Sequence, residues 1–223
     1  MIDGLKNKRG RPTLADLSER VDTREGLLQA ARNLMIAKNS ADFSLSQIAK
    51  ITGQSPALVK YHFGNKEGLL MALIEIDAEK AIKGLEALKA SDLPVLAKMR
   101  AHVGGMVTAY FEAPYAHRLL HTLMQNSGSD IAGKVCEIFL HPIANFQRDL
   151  LMQGQVAGVF QAVDPVNFHF ILLGSCDYFF SRQGTLVHVF GIEEITSEIK
   201  KSYAQTLTDI IMSGILVNGV SDA

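Results

Sequence analysis

The chain has 223 residues, of which 48% are hydrophobic and 20% are charged, and its formal net charge is −1. This apolar fraction excludes a disordered protein. The longest stretch without a charged residue, 150–163, has 14 residues and is shorter than the roughly 20 apolar residues of a membrane-spanning helix. The first residues lack the apolar segment of a secretion signal. We therefore expect a soluble, cytoplasmic protein.

The charge is distributed unevenly along the chain. Residues 1–66 contain 11 Lys and Arg against 6 Asp and Glu, whereas residues 67–223 contain 11 against 17. A basic head on an acidic body suggests that the head binds a polyanion such as nucleic acid. On charge alone, a basic terminus that is merely solvated explains the asymmetry equally well.

The N-terminal pattern changes at about residue 20. Residues 1–20 are polar and basic without an apolar period, which predicts a flexible arm. From Asp22 the apolar residues follow a helical spacing, and Asp22 with Glu25 has the pattern of a capping box. A first helix is therefore expected from Asp22 to about Asn39.

Capping residues mark the starts of three further helices. Ser44 with Gln47 forms a second capping-box pattern, Ser55 is followed by Pro56 at the first helical position, and Asn65 precedes an apolar run. The two short helices are expected to end at Gly53 and Gly64, and the fourth to present Leu69, Leu70, Leu73, Ile74 and Ile76. Longer helices are expected at about 78–90, 94–112, 115–126, 130–156, 165–182 and 194–216. Only Leu186 to Phe190 resembles a strand, and it is too short to start a sheet, so the sequence predicts an all-α protein.

Residues 43–66 have the plan of a helix-turn-helix motif, in which two short helices meet at a turn containing glycine. Ala49 is small where the two helices cross, and Gly53 suits a left-handed turn position. Ile48, Val59 and Phe63 are expected to form the core beneath, which leaves Lys60, Tyr61 and His62 on or beside the face that enters a groove. Two short packing helices in an ordinary bundle are the alternative.

Residues 23–74 resemble the DNA-binding domain of the TetR family of bacterial transcriptional regulators. The matching positions are Ile48-Ala49, Gly53, Ser55, Tyr61-His62-Phe63, Lys66-Glu67 and Leu69-Leu70. The rest of the chain resembles the family only as an all-α body of the expected length. Gln54 stands where the family usually has an apolar residue, so it packs differently or faces out. Lys60 replaces the family's usual aromatic residue, so a contact there would be made by a cation.

The resemblance implies how the motif would contact DNA. The start of the recognition helix would lie nearest the base edges, Lys60 would reach guanine or phosphate, and Tyr61, His62 and Lys66 would bind phosphates. Tyr61 as a core aromatic is the alternative. Arg9-Gly10-Arg11-Pro12 resembles the core of an AT-hook, which would follow an A·T-rich minor groove. The predicted DNA contacts are Arg9, Arg11, Ser44, Ser55, Pro56, Ala57, Leu58, Lys60, Tyr61, His62 and Lys66.

Three segments follow from this plan: a flexible basic arm (1–20), a helix-turn-helix DNA-binding domain (21–75, with the motif at about 44–63) and a larger helical effector-binding and dimerisation domain (76–223). The last two long helices are apolar on several faces, which predicts a homodimer on a near-palindromic operator. The predicted interface is Phe168, Ile171, Leu172, Ser175, Phe179, Ile199, Tyr203, Leu207, Ile210 and Gly214.

The resemblance also implies a pocket for a small apolar or aromatic effector. Its predicted lining is Met106, Tyr110, Phe111, His117, His121, Met124, Phe139 and Tyr178, where aromatic and Met side chains would form the walls and Tyr and His would orient the ligand. A filled core is the alternative, because residue spacing does not reveal a void.

The sequence lacks the common motifs for nucleotides, zinc hydrolysis and serine hydrolysis. His117 and His121 have ligand spacing, but no carboxylate or Cys partner lies close by in sequence, so neither a metal nor a cofactor is expected. The sequence therefore predicts a ligand-released repressor that is not an enzyme and has no membrane partner. A regulator controlled by oxidation of Cys136 or Cys176, or by a protein partner, is the alternative, and a helical enzyme or carrier with an incidental basic N-terminus is a remote one.

Overall fold

The computed structural model describes residues 14–38, 40–126 and 128–219. Within these ranges the regular secondary structure is helical, apart from an isolated antiparallel bridge between Phe160 and Leu216. This confirms the predicted all-α class. Among the helices described, none is long and apolar enough to cross a membrane.

The N-terminal half contains four helices: α1 (Leu14–Lys38), α2 (Leu45–Thr52), α3 (Pro56–Phe63) and α4 (Lys66–Ala90). The starts of α2, α3 and α4 follow the predicted local chemistry. The Ser44 hydroxyl accepts the Gln47 N–H at 3.2 Å while the Gln47 side chain accepts the Ser44 N–H at 2.9 Å, which completes the capping box. At α3 and α4 the cap is one-way. The Ser55 hydroxyl accepts the Leu58 N–H at 3.1 Å, and the Asn65 side-chain oxygen accepts the Gly68 N–H at 2.8 Å. Gly53 has a φ of 68°, the left-handed conformation expected at the turn.

Two helix boundaries differ from the prediction. Helix α1 begins at Leu14, so residues 14–20 belong to it rather than to the predicted flexible arm, and Asp22 lies inside it rather than at its start. Helix α4 continues through residue 90, so the predicted 78–90 helix is its second half. In both places the sequence has good helix formers and no Gly or Pro to end the helix.

The body contains α5 (Val95–Glu112), α6 (Ala116–Asn126), α7 (Ser129–Val135), α8 (His141–Val156), α9 (Pro165–Ser181), α10 (Gln183–Phe190) and α11 (Ser197–Ile215). A π-helical segment, Cys136–Leu140, joins α7 to α8, so 129–156 is one continuous run as predicted. Proline at position 142 has no N–H to donate, which favours the local change in hydrogen bonding. The strand-like stretch 186–190 is the second half of α10 and is therefore not a strand. Gly191 ends that helix with a φ of 68°.

The buried side chains form two cores. The first joins α1–α4 to α6 and α7, and its members include Leu27, Ile48, Val59, Phe63, Leu73, Leu119, Leu123 and Val135. The second joins α5, α8, α9 and α11, and its members include Met99, Val107, Leu151, Phe168, Leu172, Cys176, Leu207 and Met212. Helix α6 therefore packs with the N-terminal helices rather than with the centre of the body.

A polar chain crosses the second core. The Gln147 amide on α8 donates to Nε2 of His102 on α5 at 3.0 Å, and its carbonyl lies 2.7 Å from Nδ1 of His169 on α9. His102 is 3% exposed and Gln147 is fully buried. Three helices of the body are thus joined by hydrogen bonds inside an otherwise apolar core, which fixes their relative rotation.

Candidate functional site

Helix α3 has one exposed side and one buried side. Val59 and Phe63 are buried in the first core, whereas Pro56, Ala57 and Lys60 are exposed and Tyr61 is 68% exposed. The exposed positions lie at i, i+1, i+4 and i+5 and therefore share one side of the helix. This side provides a short apolar start followed by a cation and a phenol, which suits base edges and phosphates respectively. In particular, Tyr61 is not the core aromatic that the sequence left as an alternative.

The two serines of the motif lie at exposed helix N-termini. Ser44 is the N-cap of α2 and Ser55 is the N-cap of α3, and each hydroxyl oxygen accepts a backbone N–H of the helix that follows it. Their hydroxyl protons remain available to an outside acceptor. Because helix N-termini attract anions, both sites suit a phosphate.

The remaining predicted contacts are less accessible. Leu58 and His62 are half-buried, and the His62 ring lies edge-on to Tyr61 at 5.4 Å. The Lys66 ammonium lies 3.9 Å from an Asp42 carboxylate oxygen and 5.0 Å from the centre of the Phe43 ring. To bind a phosphate, Lys66 would therefore have to give up its interaction with Asp42. Lys60 is exposed and more accessible to DNA.

Two of the predicted contacts lie outside the described residues. These are Arg9 and Arg11 of the basic arm. Gln54, which departs from the family pattern, is exposed, so it faces out at the corner between α2 and α3.

Three residues that the sequence did not single out join the helix-turn-helix to the body. The Tyr115 hydroxyl accepts the Arg32 Nε–H at 3.0 Å and donates to the two Asp77 carboxylate oxygens at 2.8 and 3.0 Å. Burial raises the pKa of Asp77, although the Tyr115 hydrogen bond and the charges of Arg32 and Lys80 oppose that rise. Tyr115 is 38 positions from Asp77 and 83 positions from Arg32 in the sequence. No local sequence motif could therefore have predicted that the three residues meet.

The predicted effector residues fall into two groups. Met106, Tyr110 and Phe111 on α5 pack against the second core, and Tyr110 and Phe111 lie 6.3 and 6.4 Å from the Phe180 ring. His117 is half-buried near Asp177. The others do not converge with them, since His121, Met124 and Tyr178 are exposed and Phe139 packs against the first core.

The converging group is polar at one end. Burial and the Arg118 charge lower the pKa of His117, while the Asp177 carboxylate opposes this. Burial raises the pKa of the Tyr110 hydroxyl, and Asp177 raises it further. At neutral pH this end therefore presents a protonated phenol and a neutral imidazole beside a carboxylate.

Two concavities among the described residues have linings that include none of these eight residues. One is an open groove of about 450 Å³ lined by Gly26, Gln29, Ala30, Asn33, Leu34, Ala37 and Ile51 on α1 and α2. The other is a cavity of about 10 Å³ between α4, α5 and α8, the size of a single water molecule. The effector lining thus stays a prediction.

The predicted dimer residues point in different directions. Phe168, Leu172 and Leu207 are buried in the second core of their own subunit. Phe179 stacks on Tyr203 at 3.9 Å, and the Tyr203 hydroxyl donates to the Ser175 carbonyl at 2.7 Å. Ile199 is half-buried on α11, whereas Ile171, Ile210 and Gly214 are exposed.

A different apolar row lies on the outside of α9. Val166, Phe170 and Tyr178 are 61%, 70% and 61% exposed, Ile171 is 59% exposed, and Gly174 lies between them. We call Val166, Phe170, Ile171, Gly174 and Tyr178 the α9 outer face. Of these five residues, Ile171 alone belongs to the interface predicted from the sequence, because a helix that is apolar on several sides does not reveal which side the core uses.

The environments of Cys176 and of the His117–His121 pair bear on oxidant sensing and on metal binding. Cys176 is fully buried, and burial raises the pKa of its thiol to about 12 with a further contribution from Asp177. A thiol held in this state is a poor nucleophile toward oxidants. In the part of the chain that the structure describes, no cluster of three His, Cys, Asp or Glu side chains is placed to hold a metal ion, so His117 and His121 have no third ligand there.

Two family models match the chain. Residues 27–73 match the model described as bacterial regulatory proteins, tetR family, and residues 92–220 match that of the tetracyclin repressor-like C-terminal domain. A search of curated protein sequences found no match.

Solved structures of this family have the same fold. A TetR/AcrR-family transcriptional regulator from Thermobifida fusca is 18% identical with a TM-score of 0.64, covering 90% of this chain and 99% of its own. FadR from Bacillus subtilis in complex with stearoyl-CoA is 18% identical with a TM-score of 0.63, covering 86% and 98%. AibR in complex with isovaleryl coenzyme A and operator DNA is 15% identical with a TM-score of 0.69, covering 84% and 96%. With both of its halves matched, the chain belongs to the TetR family of DNA-binding bacterial transcriptional regulators.

Proposed function

We propose that this protein is a repressor that binds a near-palindromic operator as a homodimer and is released by a small effector. The observation that supports operator binding most directly is the exposed side of α3, where Pro56, Ala57, Lys60 and Tyr61 lie together on a helix whose other side is buried. Ser44 and Ser55 would fix the register through phosphates, and Arg9 and Arg11 would follow the adjacent minor groove.

The dimer would form through the α9 outer face together with Ile210 and Gly214 of α11. Exposed aromatic and branched side chains in a row favour burial against a second copy. A two-fold axis through this face would place two copies of α3 for successive major grooves.

The effector would bind beside Met106, Tyr110, Phe111 and His117. Apolar and aromatic walls with one polar end suit a ligand that has an apolar chain and a polar head. Because FadR and AibR are described as complexes with acyl-CoA compounds, acyl-CoA thioesters are the first effector class to test. Arg118 and Arg182, whose charges influence His117, supply positive charge for the anionic head.

The α3 surface is tested by comparing two lysines of the same chain. Lys60 is exposed on α3, whereas Lys83 lies on the exposed side of α4 and pairs with Glu79 at 2.6 Å. The full chain is titrated with a duplex selected from genomic DNA at several salt concentrations. Lys60→Ala is expected to lower the affinity by about tenfold or more and to flatten the log–log salt slope by about one unit. Lys83→Ala, with the same change in charge, is expected to leave both unchanged, and equal effects of the two substitutions would contradict the assignment.

The effector is tested with acyl-CoA thioesters of increasing chain length, with free coenzyme A as the control. An effective thioester is expected to raise the melting temperature of the protein and to lower operator affinity, since a tenfold loss needs only about 1.4 kcal/mol of coupling. Tyr110→Phe is expected to weaken this response without changing operator affinity in the absence of thioester. A thioester that binds without changing operator affinity is not the effector.

A further inference from the structure

Tyr115 stands at the junction between the DNA-binding helices and the body. It lies in the turn between α5 and α6, and its ring is 5% exposed within the first core. Its hydroxyl is hydrogen-bonded on both sides, to Arg32 of α1 and to Asp77 of α4. One oxygen atom therefore connects three separate parts of the chain.

The surroundings make this connection stronger than the other polar links nearby. The Arg32 and Asp77 side chains are only 21% and 19% exposed, and their direct contact is a longer 3.7 Å. Two ion pairs that also join α4 to the body, Lys80–Glu112 and Lys134–Glu75, have side chains between 45% and 77% exposed. Exposed pairs contribute little because water screens them, whereas partly buried hydrogen bonds to charged groups contribute more.

The connection also lies between the helices that pack around α3 and the start of α6. Helices α1 and α4 hold the recognition helix through the first core, and α6 starts at the residue after Tyr115. Hydrogen bonds of 2.8 to 3.0 Å weaken steeply when the atoms move apart or tilt. A shift of α6 by about 1 Å would therefore break the bonds rather than stretch them.

We propose that Tyr115 is a positioning residue for operator binding, whose hydroxyl, shared between Arg32 and Asp77, holds the helix-turn-helix at the angle to the body that matches DNA. Tyr115 does not touch DNA itself. The inference rests on the proposed operator binding and adds the contact that ties the start of α6 to α1 and α4, the helices that pack around α3.

The first test measures the angle without DNA. Spin labels are attached at Gln54→Cys, in the α2–α3 turn, and at Lys201→Cys, on the exposed side of α11, in full chains whose Cys136 is replaced by Ser. Labelled chains are diluted with unlabelled ones so that distances within one chain are observed. Tyr115→Phe, which keeps the ring in the core, is expected to broaden the distribution of distances. An unchanged distribution would overturn the proposal.

The second test measures operator affinity. If Tyr115→Phe leaves about one tenth of the chains in the matching orientation, the affinity falls about tenfold. The salt slope stays unchanged, because no phosphate contact is lost. Lys83→Met, which removes the exposed pair with Glu79 on the same helix, is the control and is expected to behave as wild type in both measurements. Equal or tighter binding by Tyr115→Phe would overturn the proposal, whereas a wild-type chain that selects no duplex would instead contradict operator binding.

A second variant breaks the same connection from the other side. Asp77→Ala removes the acceptor without changing the Tyr115 ring, and it is expected to broaden the distances and to weaken operator binding in the same way. If Tyr115→Phe does not fold, this variant decides the question. Wild-type distances in folded Asp77→Ala would overturn the proposal.

Discussion

His102 makes the stability of the body depend on pH. It is 3% exposed, and its Nε2 atom accepts a hydrogen bond from the Gln147 amide, so the folded protein holds the imidazole neutral. Burial, together with the charge of the nearby His169, lowers the pKa of His102 to about 4. Protonation would place a charge in the core and turn the acceptor nitrogen into a second donor facing the amide.

The lowered pKa determines the direction and the size of the effect. Between pH 6.5 and 4 the unfolded chain binds a proton at this position that the folded chain does not, so stability is complete above the ordinary pKa and is lost as the pH falls toward 4. At pH 5 the loss amounts to about 2 kcal/mol, because one pKa unit corresponds to about 1.4 kcal/mol. Other groups titrate in the same range, so the comparison must be made between variants.

The assay is urea unfolding at pH 7 and pH 5 for three proteins. His102→Gln removes the titrating group, while His188→Gln changes an exposed histidine of α10 and is the control. Wild type and His188→Gln are expected to lose about 2 kcal/mol more than His102→Gln between the two pH values. Equal losses in all three proteins would refute the reasoning.

Three further predictions concern packing, assembly and the basic arm. Gly154→Ala would drive a methyl group into the buried Phe160 ring and is expected to lower the free energy of unfolding in urea by roughly 1–3 kcal/mol. The control is Gly84→Ala on α4, whose added methyl group meets no neighbour and is expected to raise that free energy by about 1 kcal/mol. Equal effects of the two substitutions would contradict the packing. Phe170→Asp on the α9 outer face is expected to yield monomers in sedimentation at micromolar concentration, while Ile36→Asp on the exposed side of α1 stays dimeric; an intact Phe170→Asp dimer would exclude this face. Removal of residues 1–12 is expected to weaken binding to duplexes with A·T-rich flanks more than to those with G·C-rich flanks, and equal losses would argue against minor-groove contact.

The local features of the fold could be predicted because each depends on neighbouring residues. The capping box needs only Ser44 and Gln47, which are three positions apart, and the start of α3 needs only Ser55 and Pro56. The predicted start of the first helix is too far along the chain, because Asp22 is of a residue type that favours the N-cap. The residues before Asp22 also favour a helix.

The faces of the body helices could not be assigned from periodicity. In α9, Phe168 is buried and Phe170 is exposed, although both are apolar and only two positions apart. Which side faces the subunit's own core depends on α5, α8 and α11, and spacing within one helix contains no information about them. For the same reason the predicted effector residues included Phe139, which packs with the other core.

Selection of bound fragments from random duplex DNA by the full chain tests the central claim most directly. The account predicts enrichment of one near-palindromic sequence, with half-sites spaced by whole helical turns, and loss of that enrichment in Lys60→Ala. Binding that shows no sequence preference, or the same enriched sequence at the same strength in Lys60→Ala, would contradict operator recognition by α3.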